Sequence, residues 1–187
     1  MFSDIFQFLL TIAATLIGIA LILRAWTHAV RLHPFNPYSQ AIVRVTNWIV
    51  QPIRKVIAPS SRIDWPSILA AWLVALAYLL LSWIVGTGSL PSIASFGPAV
   101  IAAVLTVARW LFNIILWMTL LQAILSWVNP MAPAMPLLQT LTAPLLDPIR
   151  RILPNTGGID FSPIILLVLA QVALMVLQRI AFSLFAV

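Results

Sequence analysis

Four long runs of apolar residues constrain this chain more than any other feature of its sequence. A helix needs about 20 apolar residues to cross the hydrocarbon core of a bilayer. Runs of this kind occupy residues 5–23, 65–85, 110–128 and 161–182. Only 7% of the residues are charged, too few to cover a water-soluble surface. The sequence therefore predicts an all-α integral membrane protein with four transmembrane helices.

The third apolar run is longer than a single span requires. From Pro98 to Val128 it would form a helix of about 46 Å at about 1.5 Å per residue. Either this helix is strongly tilted, or only residues 110–128 span while residues 98–109 lie at shallow depth or fold back. Trp110 and Trp127 stand where interfacial aromatic residues would bracket a membrane, which favours the shorter span.

The two halves of the chain resemble each other. Residues 46–69 align with residues 142–165 at an offset of 96 without a gap, and seven of the 24 pairs are identical. Each half holds two spans, so both halves would run the same way through the membrane. The sequence predicts two tandem parallel repeats, residues 1–95 and 97–187. In each, two transmembrane helices are joined by an interfacial amphipathic or re-entrant segment.

The two joining segments, residues 37–58 and 133–153, mix polar and apolar residues. In the first, Gln40, Arg44, Asn47, Gln51 and Lys55 recur at helical spacing, and Ile42, Val45, Ile49 and Ile53 fall on the other side. This pattern predicts a helix lying in the membrane interface. In the second, Pro144 and Pro148 predict a break into short helical pieces.

The distribution of cations predicts an orientation in the membrane. The two long connections hold Arg31, Arg44, Arg54, Lys55, Arg62, Arg150 and Arg151. The positive-inside rule then places both long loops in the cytoplasm and both termini on the periplasmic side. Arg109 and Arg179 would lie near the outer face and extend toward the headgroups. The N-terminus lacks the features of a cleaved secretory signal, so we expect the first span to be retained.

One motif occurs twice, as PIRKVIAPSSRID at residues 52–64 and as PIRRILPNTGGID at residues 148–160. Each copy has two adjacent cations, and an aspartate ten residues after the first of them. These residues are Arg54, Lys55 and Asp64 in the first copy, and Arg150, Arg151 and Asp160 in the second. The second copy has Gly157 and Gly158 where the first has Ser61 and Arg62. We therefore do not expect the two copies to have the same functional role.

Two interpretations of this motif stay open. In the first, Asp64 and Asp160 cap the helices that follow them, and the cations contact anionic lipid. In the second, each cation pair reaches its own aspartate or that of the other half. The two motifs would then frame a polar site at the inner membrane surface. The second interpretation makes the motif cations and aspartates, with the Gly157–Gly158 turn, the candidate functional residues.

Residues within the spans carry two further signals. Small residues one turn apart, Ala14 and Gly18 in the first span and Ala71 and Ala75 in the second, predict close helix packing. Polar residues suited to a conduction path are scarce, namely Thr11, Asn113, Thr119, Gln122 and Gln171. This scarcity favours a scaffolding role, or a path formed between protomers.

Several classes of function are excluded by the sequence. There is no cysteine, which removes disulfides, thiol catalysis, thiolate zinc sites and iron–sulfur clusters. No phosphate-binding loop, HExxH motif or Ser/His/Asp set is present, so we expect no enzymatic activity and no cofactor. His28 and His33 lack convergent partners, so no metal is expected. The net charge of +6 is not gathered into a basic arm, and we expect the lipid bilayer and anionic phospholipids as partners rather than nucleic acid.

Several stretches of the sequence carry a resemblance to a known family. The most specific are APLLDPIRRILP at 143–154 and GGIDFSP at 157–163, and the others are FNPYSQ at 35–40, PIRKVIAP at 52–59 and SWVNP at 126–130. In these stretches the sequence resembles the YggT family of bacterial membrane proteins. Relatives in cyanobacteria and chloroplasts are called YlmG or CCB3-like. The resemblance implies a bacterial inner-membrane protein and brings no catalytic residues with it.

The resemblance also implies two alternative functions. Bacterial members are associated with osmotic-stress tolerance and ion homeostasis, including that of potassium, which predicts a small transport element or a modulator of a transporter. Organellar relatives are associated with cytochrome maturation and with division or nucleoid organisation, which predicts an assembly or scaffolding factor. A second copy of the chain or another membrane protein is the expected protein partner.

Overall fold

The computed structural model describes residues 2–33, 35–153 and 160–185. These residues form six α-helices: α1 (Phe2–Ala29), α2 (Pro37–Arg54), α3 (Trp65–Thr87), α4 (Ile93–Val128), α5 (Met135–Ile152) and α6 (Ser162–Phe185). No β-strand occurs among the residues described. Helices α1, α3, α4 and α6 are long and apolar enough to cross a membrane. The prediction of an all-helical chain with four candidate spans is therefore confirmed.

The chain divides into two compact units. The first comprises Met1–Leu111 with Arg179–Val187, and the second comprises Phe112–Gln178. Helix α4 begins in the first unit and ends in the second. Within the first unit, α1 packs along α3, and α2 packs against both.

Small side chains allow α1 and α3 to pack closely. Ala14 on α1 is 6% exposed, and Ala71 and Ala75 on α3 are fully buried. Gly18 on α1 is also buried. The predicted close packing at these small residues is confirmed.

Trp110 is placed differently from the expectation. Its side chain is buried, and a Cβ built on Gly18 would lie 2.3 Å from the indole ring. The ring therefore packs directly over the α1 backbone, which only glycine permits at this distance. The indole fills the space left by the missing side chain of Gly18 and is therefore not exposed to headgroups as expected; the position of residue 110 at a membrane boundary stays a prediction.

Helix α4 is continuous over 36 residues, including Pro98 and the whole stretch 98–109. At about 1.5 Å per residue it is about 54 Å long. The folded-back arrangement considered for residues 98–109 does not occur. Which part of α4 crosses the hydrocarbon core stays a prediction.

Helices α2 and α5 are amphipathic, in contrast to the four apolar helices. Helix α5 contains both Pro144 and Pro148 and still runs unbroken for 18 residues. The prediction that these prolines break the segment is wrong. Because they are four residues apart, both rings lie on the same exposed face of α5, where the lost backbone bonds disturb no packing.

Candidate functional site

Five polar side chains meet where α1, α2 and α3 come together. We call this group the Arg24 cluster: Arg24 on α1, Thr46 and Arg54 on α2, and Asp64 and Ser67 at the start of α3. Arg24 is 3% exposed and Asp64 is 1% exposed. Charged side chains are almost never this buried unless they are paired, so the cluster is an unusual feature of an apolar fold.

A single carboxylate oxygen is the centre of the cluster. Asp64 Oδ2 accepts a hydrogen bond from Ser67 Oγ at 2.6 Å and one from Arg54 Nη2 at 3.1 Å. Arg24 Nε lies 3.7 Å from the same oxygen. Arg24 also donates from Nη1 to Thr46 Oγ1 at 3.0 Å. These contacts connect three helices through one aspartate.

The Arg24 cluster carries two guanidinium groups and one carboxylate, and so a net charge of +1. Asp64 Oδ1 and Arg24 Nε have no hydrogen-bond partner among the described residues. In a low-dielectric interior a paired charge depends strongly on its partner, and removing one member leaves the other uncompensated. Asp64 is therefore the residue on which the arrangement of α1, α2 and α3 depends most.

Asp64 precedes α3, but its carboxylate does not cap that helix. Its main-chain carbonyl accepts hydrogen bonds from the N–H groups of Ser67 and Ile68, at 3.0 and 3.2 Å. Its side chain makes no capping bond to the backbone. The prediction of a carboxylate cap is wrong here, because the carboxylate is turned toward the guanidinium groups and the Ser67 hydroxyl.

In the second motif, Asp160 both pairs and caps. Arg150 Nη2 and Nε each lie 2.8 Å from Asp160 Oδ2, and Arg150 Nη1 lies 3.3 Å from Asp147 Oδ1. The Ser162 backbone N–H donates to Asp160 Oδ1 at 2.9 Å, and the Ser162 hydroxyl donates to the same oxygen. The predicted cap at the start of α6 is confirmed for this aspartate.

Solvent exposure separates the two aspartates. Asp160 is 44% exposed and Arg150 is 42% exposed, whereas Asp64 is buried. Partial burial acts to raise the pKa of Asp160, but hydrogen bonds from Ser162 and the charge and hydrogen bond of Arg150 outweigh it and hold the pKa below its usual value. The second ion pair is a surface contact, and such pairs are individually weak.

Arg54 and Arg150 each contact the aspartate ten residues further along their own motif. The hypothesis of pairing within each motif therefore agrees with the geometry. Lys55 and Arg151 are exposed and take part in neither contact. Gly157 and Gly158 lie outside the described residues.

Several residues with polar contacts were not predicted from the sequence as part of the motif site. Arg24, Thr46 and Ser67 belong to the Arg24 cluster, and on the second unit the Thr142 hydroxyl donates to Gln122 Oε1 on α4. Thr142 is fully buried and Gln122 is 6% exposed. The available signal was the identical threonine at positions 46 and 142, the first pair of the repeat alignment.

Helix α2 presents three different faces. Thr46 and Val50 are fully buried against the neighbouring helices. Successive side chains are rotated by about 100° around a helix axis. Ala41, Val45, Trp48 and Pro52 therefore lie on a second face, which is apolar and exposed. Gln40, Arg44, Gln51 and Lys55 fall on or beside a third face that is polar and exposed. We call the second and third faces together the α2 surface.

The two histidines lie apart. His28 Nε2 is 3.0 Å from the carbonyl oxygen of Ser60, which ties the loop after α2 to the end of α1. His33 stacks against Phe35 with ring centroids 5.5 Å apart. Within the described residues no group of three or more His, Asp or Glu side chains is arranged to hold a metal ion.

Comparison with known proteins gives a consistent result. The family model described as CCB3/YggT matches residues 3–85 and 101–181. An uncharacterized protein YggT of Escherichia coli strain K12 is 37% identical over 167 residues, which is 88% of this chain and 85% of that protein.

Two further relatives are similar over most of their length. An uncharacterized protein of Vibrio alginolyticus is 34% identical over 89% of this chain and 90% of its own length. Another, from Pseudomonas aeruginosa, is 31% identical over 93% of this chain and 89% of its own length. No solved structure matches the chain significantly.

Proposed function

Because this chain belongs to the CCB3/YggT family, we propose that it is a non-enzymatic inner-membrane protein that supports ion or osmotic homeostasis by modulating a partner membrane protein. The family resemblance supplies the physiological setting. The α2 surface supplies the observation that carries the proposal. The proposal combines the modulator and scaffold alternatives, and it assigns the contact with the partner to the α2 surface.

The α2 surface is suited to a partner because it is exposed and firmly held. Trp48 is 68% exposed and Val45 is 64% exposed, beside the cation Arg44. The opposite face of α2 is fixed by Val50 and by the Thr46–Arg24 hydrogen bond. Exposed aromatic residues next to arginine are typical of the residues that contribute most to binding at protein interfaces.

The distribution of buried polar groups in the first unit favours modulation of a partner over conduction of ions. In the first unit, the buried polar residues gather at one end of α1 and α3, in the Arg24 cluster and at Thr27 beside it. At the other end of α3, the hydroxyl oxygen of Ser82 is buried without a hydrogen-bond partner among the described residues. Ions crossing a membrane need polar groups along the path. The clustering of these groups at one end is better suited to locking α2 in place.

Architecture and orientation belong to the same proposal. Two tandem parallel repeats, residues 1–95 and 97–187, are supported by the two-segment family match and by the two Arg–Asp pairs of equal sequence separation. We propose interfacial rather than re-entrant joining segments, since α2 and α5 are each one amphipathic helix. The basic loops would lie in the cytoplasm against anionic phospholipid.

A transport element is the second candidate, and Arg24 is the observation that favours it. Ionisable residues buried within membrane helices often mark ion pathways. Arg24 shares a single carboxylate with Arg54, so the cluster keeps a positive charge that could act on a passing ion.

A flux measurement separates the two candidates. Purified protein in liposomes would be given an osmotic step while potassium and water flux are followed. The modulator proposal predicts flux equal to that of empty liposomes. Flux that exceeds this level and disappears in a folded Arg24→Gln variant would establish the transport element instead.

The partner contact is tested in cells that lack the endogenous protein. A photo-crosslinking residue at Val45 would report contacts of the α2 surface, and the same residue at Leu169, exposed on α6, would serve as control. We expect a discrete protein adduct from position 45 only, and loss of osmotic protection in V45S/W48S but not in L169S. Equal adducts from both positions, or full protection by V45S/W48S, would contradict the proposal.

A further inference from the structure

An apolar groove runs along the first two turns of α3. Trp65, Ile68, Leu69 and Trp72 form one side at helical spacing, and Val104 and Val107 on α4 form the other, with Ile57 of the preceding loop at one end. The groove has a volume of about 520 Å³, within the range of pockets that hold small ligands. Both flanking helices are candidate spans, so this groove faces hydrocarbon or other apolar material.

Two cations lie close in sequence to the loop end of this groove. Lys55 lies two residues before Ile57, and Arg62 lies three residues before Trp65. Both are exposed. The carboxylate next in sequence, Asp64, is buried and already bonded to Arg54, so it does not neutralise them.

The loop between α2 and α3 has a defined conformation. Ser60 N–H donates to the Ile63 carbonyl at 2.9 Å, and the Ser60 carbonyl is 3.0 Å from His28 Nε2. These bonds hold the loop against the end of α1. Arg62 is thus carried by a loop of fixed conformation whose Ile57 lines the groove, and Lys55 directly precedes that loop.

We infer that the groove binds one acyl chain of an anionic phospholipid, whose phosphate is contacted by Lys55 and Arg62. An acyl chain matches the apolar lining, and an indole such as that of Trp65 prefers the headgroup level. Two cations whose nearest carboxylate in sequence, Asp64, is already paired with Arg54 select a headgroup with net negative charge over a zwitterionic one. This inference rests on the proposed contact of the basic loops with anionic phospholipid and makes it specific. It shares Lys55 with the α2 surface, but the groove residues differ from the partner-contact residues Val45 and Trp48, so either proposal can fail alone.

The test measures lipid retained by the full-length protein. Purified protein would be incubated with equal amounts of phosphatidylglycerol and phosphatidylcholine carrying the same acyl chains, and bound lipid counted by native mass spectrometry. K55Q/R62Q removes the two cations, and R31Q/R44Q removes two other exposed cations as its control. V104W fills the groove, and V168W on α6 is its control, since Val104 and Val168 are 54% and 57% exposed.

The wild-type protein is expected to retain phosphatidylglycerol in preference to phosphatidylcholine. K55Q/R62Q should lower that preference by about fivefold per cation removed, a clearly larger drop than in R31Q/R44Q. V104W should reduce retention of both lipids, with V168W unchanged. An unchanged preference in K55Q/R62Q, or an equal drop in R31Q/R44Q, would overturn the headgroup assignment. Undiminished retention in V104W, or equal losses in V168W, would overturn the groove as the acyl-chain site.

Discussion

Asp64 and Asp160 occupy the same place in two copies of one motif but differ in how far water reaches them. Replacing Asp64 by Asn leaves the buried Arg24 without a carboxylate partner, a change that costs about 3–5 kcal/mol. Arg54 is 37% exposed and adds little to this cost, because water reaches its guanidinium group. Asp160 is 44% exposed, so D160N should cost about 1 kcal/mol or less. Thermal unfolding of the detergent-solubilised protein would measure both changes.

Asp147→Asn provides the matched control for these substitutions, because this carboxylate also pairs with Arg150 and is 53% exposed. Its effect should be as small as that of D160N. Equal destabilisation by D64N and D160N would show that the Arg24 cluster does not differ from a surface ion pair.

The lowered pKa of Asp160 predicts a pH dependence of stability. Since the folded pKa lies below the unfolded value of about 3.9, the contribution of this carboxylate is present above the unfolded pKa. It is lost as the pH falls through the folded pKa. The wild type should therefore exceed D160N slightly in melting temperature near neutral pH, and the difference should vanish on strong acidification. A difference that grows as the pH falls would contradict this assignment.

Arg24 shows why the main cluster was not predicted from the sequence. An arginine at the end of an apolar run is usually an anchor at the headgroups, and that is the most economical interpretation of the sequence. Its burial depends on α2 folding back over the end of α1, which brings Thr46 within hydrogen-bonding distance. Contacts of this kind arise from tertiary packing, so they cannot be predicted from the spacing of residues along the chain.

At the scale of helices, the contact between Gly18 and Trp110 is the most sensitive to substitution. A Cβ at position 18 would lie 2.3 Å from the indole ring, so G18A should destabilise the protein by about 1–3 kcal/mol through overpacking. Gly97 provides the control, since nothing lies within 4 Å of a Cβ there. G97A should leave the melting temperature unchanged or raise it, because alanine favours helix.

A double-mutant cycle identifies the cause of the G18A effect. If the clash with the indole destabilises G18A, the substitution should cost much less in a Trp110→Leu background, where the ring is absent. An equal cost of G18A in both backgrounds would show that the destabilisation arises elsewhere on α1.

The helices themselves were largely predictable, and their interruptions were not. Apolar length predicted the four long helices, and polar spacing predicted α2 with its polar face. Pro144 and Pro148 were expected to break α5 because a proline inside a helix removes a backbone bond. Whether that loss matters depends on which face the rings occupy relative to packing partners. This information is available only once the fold is known.

At the scale of the whole molecule, orientation in the membrane is the property on which the proposed function depends most. Because the chain contains no cysteine, introduced single cysteines can be labelled without background. Ser60→Cys in the basic loop before α3 should react only with reagents that reach the cytoplasm. Ser89→Cys, in the loop between α3 and α4, should react with an impermeant reagent added to intact cells.

The opposite labelling pattern would reverse the assignment of both loops. Because Lys55 and Arg62 lie in the same loop as Ser60, it would also move the lipid groove to the outer leaflet. The α2 surface would then face the periplasm, and its contact with the partner membrane protein would be sought on that side. The labelling therefore decides on which side of the membrane the partner contact lies, and it is worth doing before the search for that partner.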